Sequence, residues 1–169
     1  MSDNSKTKNE MENNEVDEVG EVDEIGEVDE IESWDDLPDI KQDLLRGIYS
    51  YGFEKPSPIQ KKAILPIFNK TDIVAQAQSG TGKTGCFAVG VLQLIDVNLN
   101  KTQGIILSPT RELSLQIKKV IDSLGNMIKK LKTQLLVGGQ SVETDINELK
   151  NNPHIIIGCP GRVYDMLNR

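Results

Sequence analysis

The sequence predicts an α/β domain built on a parallel sheet. Two observations carry that reading. Short runs that are apolar on both faces recur along the chain, separated by amphipathic helical stretches, as expected of strands buried between helix layers. Glycine or proline then closes each run, and the polar residues capable of chemistry gather just after it, at the carboxyl end where open α/β sheets bind ligands. The elements follow in order. Leu37–Tyr51 places Leu44, Leu45 and Ile48 at helical spacing and stops at Gly52. Ile59–Phe68 forms a second helix with Ile64, Leu65 and Phe68 on its apolar side. Asp72–Ala77 reads as a strand running into a glycine-rich turn and an apolar helix over Gly85–Ile95. Gly104–Ser108 is a second strand, followed by Pro109 and a helix through Leu124. Gln134–Val137 is a third, ending at Gly138-Gly139. His154–Gly158 is a fourth, ending at Cys159-Pro160-Gly161 with a helix from Arg162.

Charge divides the chain. Residues 1–32 hold 13 acidic and 2 basic side chains, whereas residues 33–169 hold 17 basic and 13 acidic, so the net −7 belongs to a tail and the body is mildly basic. Residues 15–32 are three copies of one six-residue unit, Glu-Val-Asp-Glu followed by Val-Gly, Ile-Gly and Ile-Glu. Interrupting glycines and crowded carboxylates leave too little apolar surface to offset chain entropy, so residues 1–32 are expected to be a disordered acidic tail, able to meet a basic partner surface. The 137 residues from 33 to 169 suffice for one domain. No apolar run approaches the roughly 18–20 residues of a membrane span, and no signal-peptide core follows Met1. Cys86 and Cys159 are too few for a disulfide framework and lack metal-ligand spacing. An intracellular protein is expected, cytoplasmic or nuclear, with no membrane partner.

Ala77-Gln78-Ser79-Gly80-Thr81-Gly82-Lys83-Thr84 sits where the first strand becomes a helix. Glycines let backbone N–H groups converge on an anion, and the helix N-terminus adds favourable potential. Lys83 can reach the β and γ phosphates, and the Thr84 hydroxyl can join the coordination of Mg²⁺. Ala77 stands where this loop usually begins with glycine, but the strand–turn–helix context meets the motif's structural requirement. The residues point to nucleoside triphosphate binding.

Upstream, Gly52-Phe53-Glu54-Lys55-Pro56-Ser57-Pro58-Ile59-Gln60 combines an aromatic face with an amide that pairs a donor and an acceptor, as an adenine edge requires. Downstream stand Pro109-Thr110-Arg111-Glu112-Leu113, Gly138-Gly139 and Pro160-Gly161-Arg162. Together these resemble the motifs of the DEAD-box RNA helicases, in the family's order: the glutamine motif, the phosphate loop, the first RNA-contacting motif, the double glycine and most of the Thr-Pro-Gly-Arg element. Leu44–Tyr49 and Gly161–Leu167 are most similar to the translation initiation factor four-A branch. The resemblance covers residues 34–169.

It implies a partial first RecA-like domain over 33–169 and ATP with Mg²⁺ as cofactors. Phe53, Lys55, Gln60 and Gln78, Ser79, Gly80, Thr81, Gly82, Lys83 and Thr84 would take the nucleotide. Lys83 and Thr84 would be the catalytic residues, with Thr84 on the metal. Pro109, Thr110, Arg111, Glu112, Gly138, Gly139, Pro160, Gly161 and Arg162 would meet single-stranded or duplex RNA through its sugar–phosphate backbone. Translation initiation scaffold proteins are the implied partners of a monomer. Three features depart from the pattern. Trp34 stands where the family usually has phenylalanine, and Cys159 replaces a threonine with a weaker donor. The chain reaches Arg169 before any Asp-Glu-Ala-Asp sequence. The expectation is therefore an ATP-binding helicase part that is inactive by itself, the alternative being a non-catalytic RNA- or partner-binding module. A small nucleotide kinase would account for the phosphate loop but not for the other four elements.

Overall fold

The computed structural model describes residues 30–169. A 3-10 turn at Trp34–Asp36 is followed by α1 (Gln42–Ser50), α2 (Pro58–Phe68), α3 (Lys83–Leu94), β1 (Gly104–Leu107), α4 (Arg111–Leu124), β2 (Thr133–Leu136), α5 (Val142–Leu149), β3 (Ile155–Gly158) and α6 (Pro160–Leu167). The three strands form one parallel sheet in the order β1-β3-β2, with Ile106, Ile157 and Leu135 in register. That face joins Leu92, Ile117, Ile121 and Leu124 of α3 and α4 in the main core. On the other face, Ile156 and Leu136 pack with Val163, Leu149 and Met166 from α5 and α6. Helices thus cover both faces of the parallel sheet, as the alternation of apolar runs and amphipathic stretches requires. The cover is unequal: Ile105 and Leu107, on the second face at the β1 edge, stay 49% and 54% exposed.

Helix starts follow local chemistry. Pro58 and Pro160 sit in the first turns of α2 and α6, where a missing N–H costs nothing. Thr110 caps α4 by accepting from the Leu113 N–H at 3.2 Å. The helix expected from Leu37 begins only at Gln42, because Asp39 adopts a left-handed backbone (φ 54°) after Pro38. The Lys41 ammonium then donates to the free carbonyls of Leu92 and Ile95 at the end of α3, tying the start of α1 to it.

Two further differences are informative. Asp72–Ala77, expected as a strand, has no ladder partner among the described residues and is largely exposed, Val74 fully so. A strand exists only through hydrogen bonds to a neighbour, and the sheet ends at β1. Helix α5 was not anticipated, although Val142, Ile146 and Leu149 have its apolar spacing. Most of the acidic tail lies outside the described residues. Its last residues do not behave as solvated chain: Ile31 is buried, its N–H donates to the Lys61 carbonyl, and Glu30 and Glu32 pair with Lys62 and Lys61 on α2.

His154 precedes β3 and is buried. Its Nδ1 accepts the Lys132 N–H at 3.0 Å, so the neutral ring carries its proton on Nε2. Burial, aided by the Lys132 charge and opposed by Asp96, holds its pKa below the ordinary value. The unfolded chain then binds a proton that the folded chain refuses, so this group's stabilisation is full above about pH 6.5 and is lost as pH falls towards the folded value. Thermal melts from pH 8 to pH 5 should show a decline that His154→Asn, which keeps an acceptor near Nδ1, reduces. Equal slopes for both proteins would refute this account.

Candidate functional site

The glycine-rich turn is built on two left-handed glycines, Gly80 (φ 80°) and Gly82 (φ 99°), with Gly82 as the N-cap of α3. Against it lies the first turn of α2. Gln60, 3% exposed, accepts the Ser57 N–H on Oε1 at 2.8 Å and donates from Nε2 to the Gly82 carbonyl at 3.1 Å. The two segments approach so closely that a Cβ on Gly85 would lie 2.7 Å from Phe53 and 2.8 Å from the Gln60 amide nitrogen. Phe53 is itself held from behind: Trp34 stacks on it at 6.1 Å and 12°, and Tyr51 meets it edge-on at 4.8 Å. At most one face of the Phe53 ring is therefore left for a ligand.

Between these segments is an open pocket of about 470 Å³, lined by Phe53, Lys55, Ser57, Gln60, Ala77 and Gly80–Gly82 among others. Size does not single it out, since open grooves of about 670 and 730 Å³ lie beside α4 and the start of α1. Its residues do. The Lys83 ammonium folds back on the turn and donates to the Ala77 and Gln78 carbonyls, while the Thr81 hydroxyl donates to Gln78 at 2.8 Å. Gln78 and Ser79 are exposed on the turn, and Thr84 sits in the first turn of α3. Among the described residues no group of three or more His, Cys, Asp or Glu side chains could hold a metal ion. Cys86, two residues beyond Thr84 on α3, is buried in the main core, and burial pushes its thiol up to about 11.

The other predicted residues cluster after the carboxyl ends of the three strands. Pro109, Thr110, Arg111 and Glu112 follow β1, Gly138 and Gly139 follow β2, and Pro160 and Gly161 follow β3; all eight are exposed. Three contacts join these segments. Arg111 donates to the Gly138 carbonyl at 3.3 Å. The buried Ser114 hydroxyl lies 2.5 Å from the Ser108 hydroxyl and 3.6 Å from the Cys159 sulfur. Arg162 donates to the Gln140 carbonyl at 2.9 Å and to the Asp145 carboxylate at 2.6 Å. Arg162 is thus a paired, largely covered guanidinium, unlike Arg111. Sequence reasoning missed Asp145, which lies on the unanticipated α5, and the Gln60–Gly82 bond, which joins residues 22 apart.

A parallel sheet with a glycine turn opening a helix, and an amide locked onto that turn, defines a phosphate-loop α/β domain of the RecA-like kind. The chain belongs to the DEAD/DEAH box helicase family, whose sequence profile matches residues 57–169. It is 53% identical over 134 residues to the ATP-dependent RNA helicase FAL1 of Mycosarcoma maydis, a match covering 79% of this chain and 34% of that protein. It is 48% identical over 137 residues to eukaryotic initiation factor 4A of Drosophila melanogaster, covering 81% and 34%. Among solved structures it is similar to a DEAD box protein of Methanococcus jannaschii (TM-score 0.77, 40% identity, 83% of this chain and 38% of that one). It is also similar to S. cerevisiae Dbp5 bound to RNA and ADP BeF3 (TM-score 0.71, 36% identity, 82% and 34%). The chain spans about a third of the length of these curated relatives.

The packing of α2 on α3 generates a direct expectation. Gly85→Ala forces a methyl group against Phe53, which Trp34 prevents from retreating, and should destabilise the fold by about 1–3 kcal/mol. Gly138→Ala, where a Cβ meets nothing within 4 Å, should leave stability within about 0.5 kcal/mol. Urea unfolding of the two variants checks the contrast; equal midpoints would contradict it.

Proposed function

We propose that this chain is the ATP-binding part of an ATP-dependent RNA helicase, contributing to ATP hydrolysis coupled to RNA duplex opening, with translation initiation as the process. The observation that carries the nucleotide reading is the locked amide of Gln60. A free glutamine can flip its oxygen and nitrogen, but here Ser57 donates to one end and Gly82 accepts from the other. One lone pair on Oε1 and one hydrogen on Nε2 remain, in fixed order. Adenine presents an amino donor beside a ring-nitrogen acceptor, matching that order. Guanine presents two acceptors there and would leave one unpaired. Phe53 and Lys55 line the same pocket, giving the base an apolar wall and the nucleotide a nearby cation.

On arrival of the triphosphate, the Lys83 ammonium exchanges the Ala77 and Gln78 carbonyls for phosphate oxygens, and the N–H groups of Gln78–Thr84 close on the same charge. Mg²⁺, when bound, would neutralise charge on the phosphates, with the Thr84 hydroxyl as this chain's ligand to it. RNA would run across the exposed segments after β1, β2 and β3, whose N–H groups and Arg111 address phosphates without reading bases. We infer that the protein acts in the cytoplasm, as a monomer working with initiation scaffold proteins. Among the described residues no helix is long and apolar enough to cross a membrane.

Titration calorimetry tests the nucleotide half. ATP should bind more tightly than GTP, by about tenfold or more, as expected when a polar group of the base is left unpaired against the buried Gln60 amide. Gln60→Ala should erase the preference, and Lys83→Ala should weaken ATP binding while the far-ultraviolet circular dichroism stays unchanged. Equal affinities for ATP and GTP would overturn the adenine assignment, and wild-type affinity in Lys83→Ala would overturn the phosphate loop.

A further inference from the structure

Among the described residues Asp145 is a fully buried carboxylate, and its ion pair with Arg162 is the one in which both side chains are largely covered, at 0% and 12% exposure. Its Oδ2 takes the Arg162 Nη1 at 2.6 Å, its Oδ1 has no hydrogen-bond partner, and its main-chain carbonyl accepts from Gln134 on β2 at 3.0 Å. The second arm of Arg162 reaches the Gln140 carbonyl at 2.9 Å, in the turn that begins Gly138-Gly139. Arg162 therefore spans two of the three exposed segments, from the first turn of α6 to the turn after β2. Arg111 joins the third to the same turn through Gly138, and the Ser114–Cys159 contact returns from α4 to α6. The three segments form a closed ring of contacts, and the fully buried Asp145 carboxylate holds one of the two arginines that close it.

We propose that Asp145 is a positioning residue for nucleic-acid binding: it holds Arg162 as an internal strut that sets the turn at 138–140 relative to the start of α6. This rests on the reading that these segments bind RNA. It changes the roles within that site. If Arg162 swung out to a phosphate, it would leave a buried carboxylate with no partner, which is strongly unfavourable. Arg162 stays inside, and the phosphates meet Arg111 and the backbone N–H groups that the strut keeps in place. The free cation and the shaping cation are different arginines.

The two roles separate in their salt dependence. Each phosphate neutralised on a single strand contributes roughly −0.7 to the slope of log K against log salt. Fluorescence anisotropy with labelled single-stranded RNA at several salt concentrations should show that Arg111→Ala makes the negative slope shallower by about 0.7. Asp145→Asn and Arg162→Gln should each weaken RNA binding by about tenfold, one charge-assisted hydrogen bond's worth, with the slope unchanged. The double variant should bind like either single one, because all three break the same strut. Hydrogen exchange at residues 138–141 should accelerate in each, and affinity for an ATP analogue should stay at the wild-type value. Arg162→Lys keeps a cation beside Asp145 but loses the arm to Gln140, so an intermediate RNA affinity is expected; it carries the test if Asp145→Asn does not fold. The proposal is overturned if Arg162→Gln makes the salt slope shallower as Arg111→Ala does, or if Asp145→Asn binds RNA like the wild type. A wild-type chain with no measurable RNA affinity would instead overturn the RNA reading, and the strut's role with it.

Discussion

The first turns of α2 and α3 touch at a distance that only glycine permits, and the pocket between them depends on that contact. Gly82 and Gly85 leave room for the Gln60 amide, which binds its own helix start at one end and the phosphate turn at the other. The contact also fixes Phe53, because its ring fills the space above Gly85 and is closed from behind by Trp34. Trp34 is fully buried and forms the floor of this arrangement although the whole of α1 lies between it and Gln60. The pocket and the glycine turn are therefore parts of one packed unit. Displacement of either helix would be felt in both.

A comparable economy operates at the other rim. Three segments after three parallel strands have no covalent reason to share a geometry, and a parallel sheet places their starts side by side only at its carboxyl edge. Two arginines, two serines and a cysteine then tie them together. Cys159 illustrates how a substitution can be absorbed. Its sulfur is half-buried beside Ser114, where a weak partner suffices because Ser114 already donates to the Thr110 carbonyl at 3.1 Å. The residue acts within the rim, on its inner side.

How much of this was legible beforehand depended on the range of each interaction. Helices α2, α3, α4 and α6 were readable because their signals are local: proline in the first turn, a capping threonine, glycine at the phosphate turn. β1, β2 and β3 were readable because each carries a run of large apolar residues, as strands between helix layers do, even though one face of β1 stays open. Asp72–Ala77 has the same composition and was read the same way, but composition records what a segment can pair with and not whether a partner stands beside it. Ile31 shows the converse. Its repeat is acidic enough to read as solvated chain, yet one apolar side chain and two flanking carboxylates meet a matching slot and two lysines on α2.

The sequence by itself determined the class of fold, the family and the identity of nearly every residue at both rims. Those properties rest on periodicity and on motifs whose residues lie within a few positions of one another. Tertiary structure alone decided what those residues hold. It turned Gln60 into an amide with a fixed orientation, took one face of Phe53 for Trp34, paired Arg162 with a carboxylate and left Arg111 exposed. The physical reason is that a side chain's hydrogen-bonding capacity is written in its chemistry, whereas which part of that capacity remains free is set by neighbours distant in sequence. Gly82, Trp34 and Asp145 become those neighbours only when the helices pack.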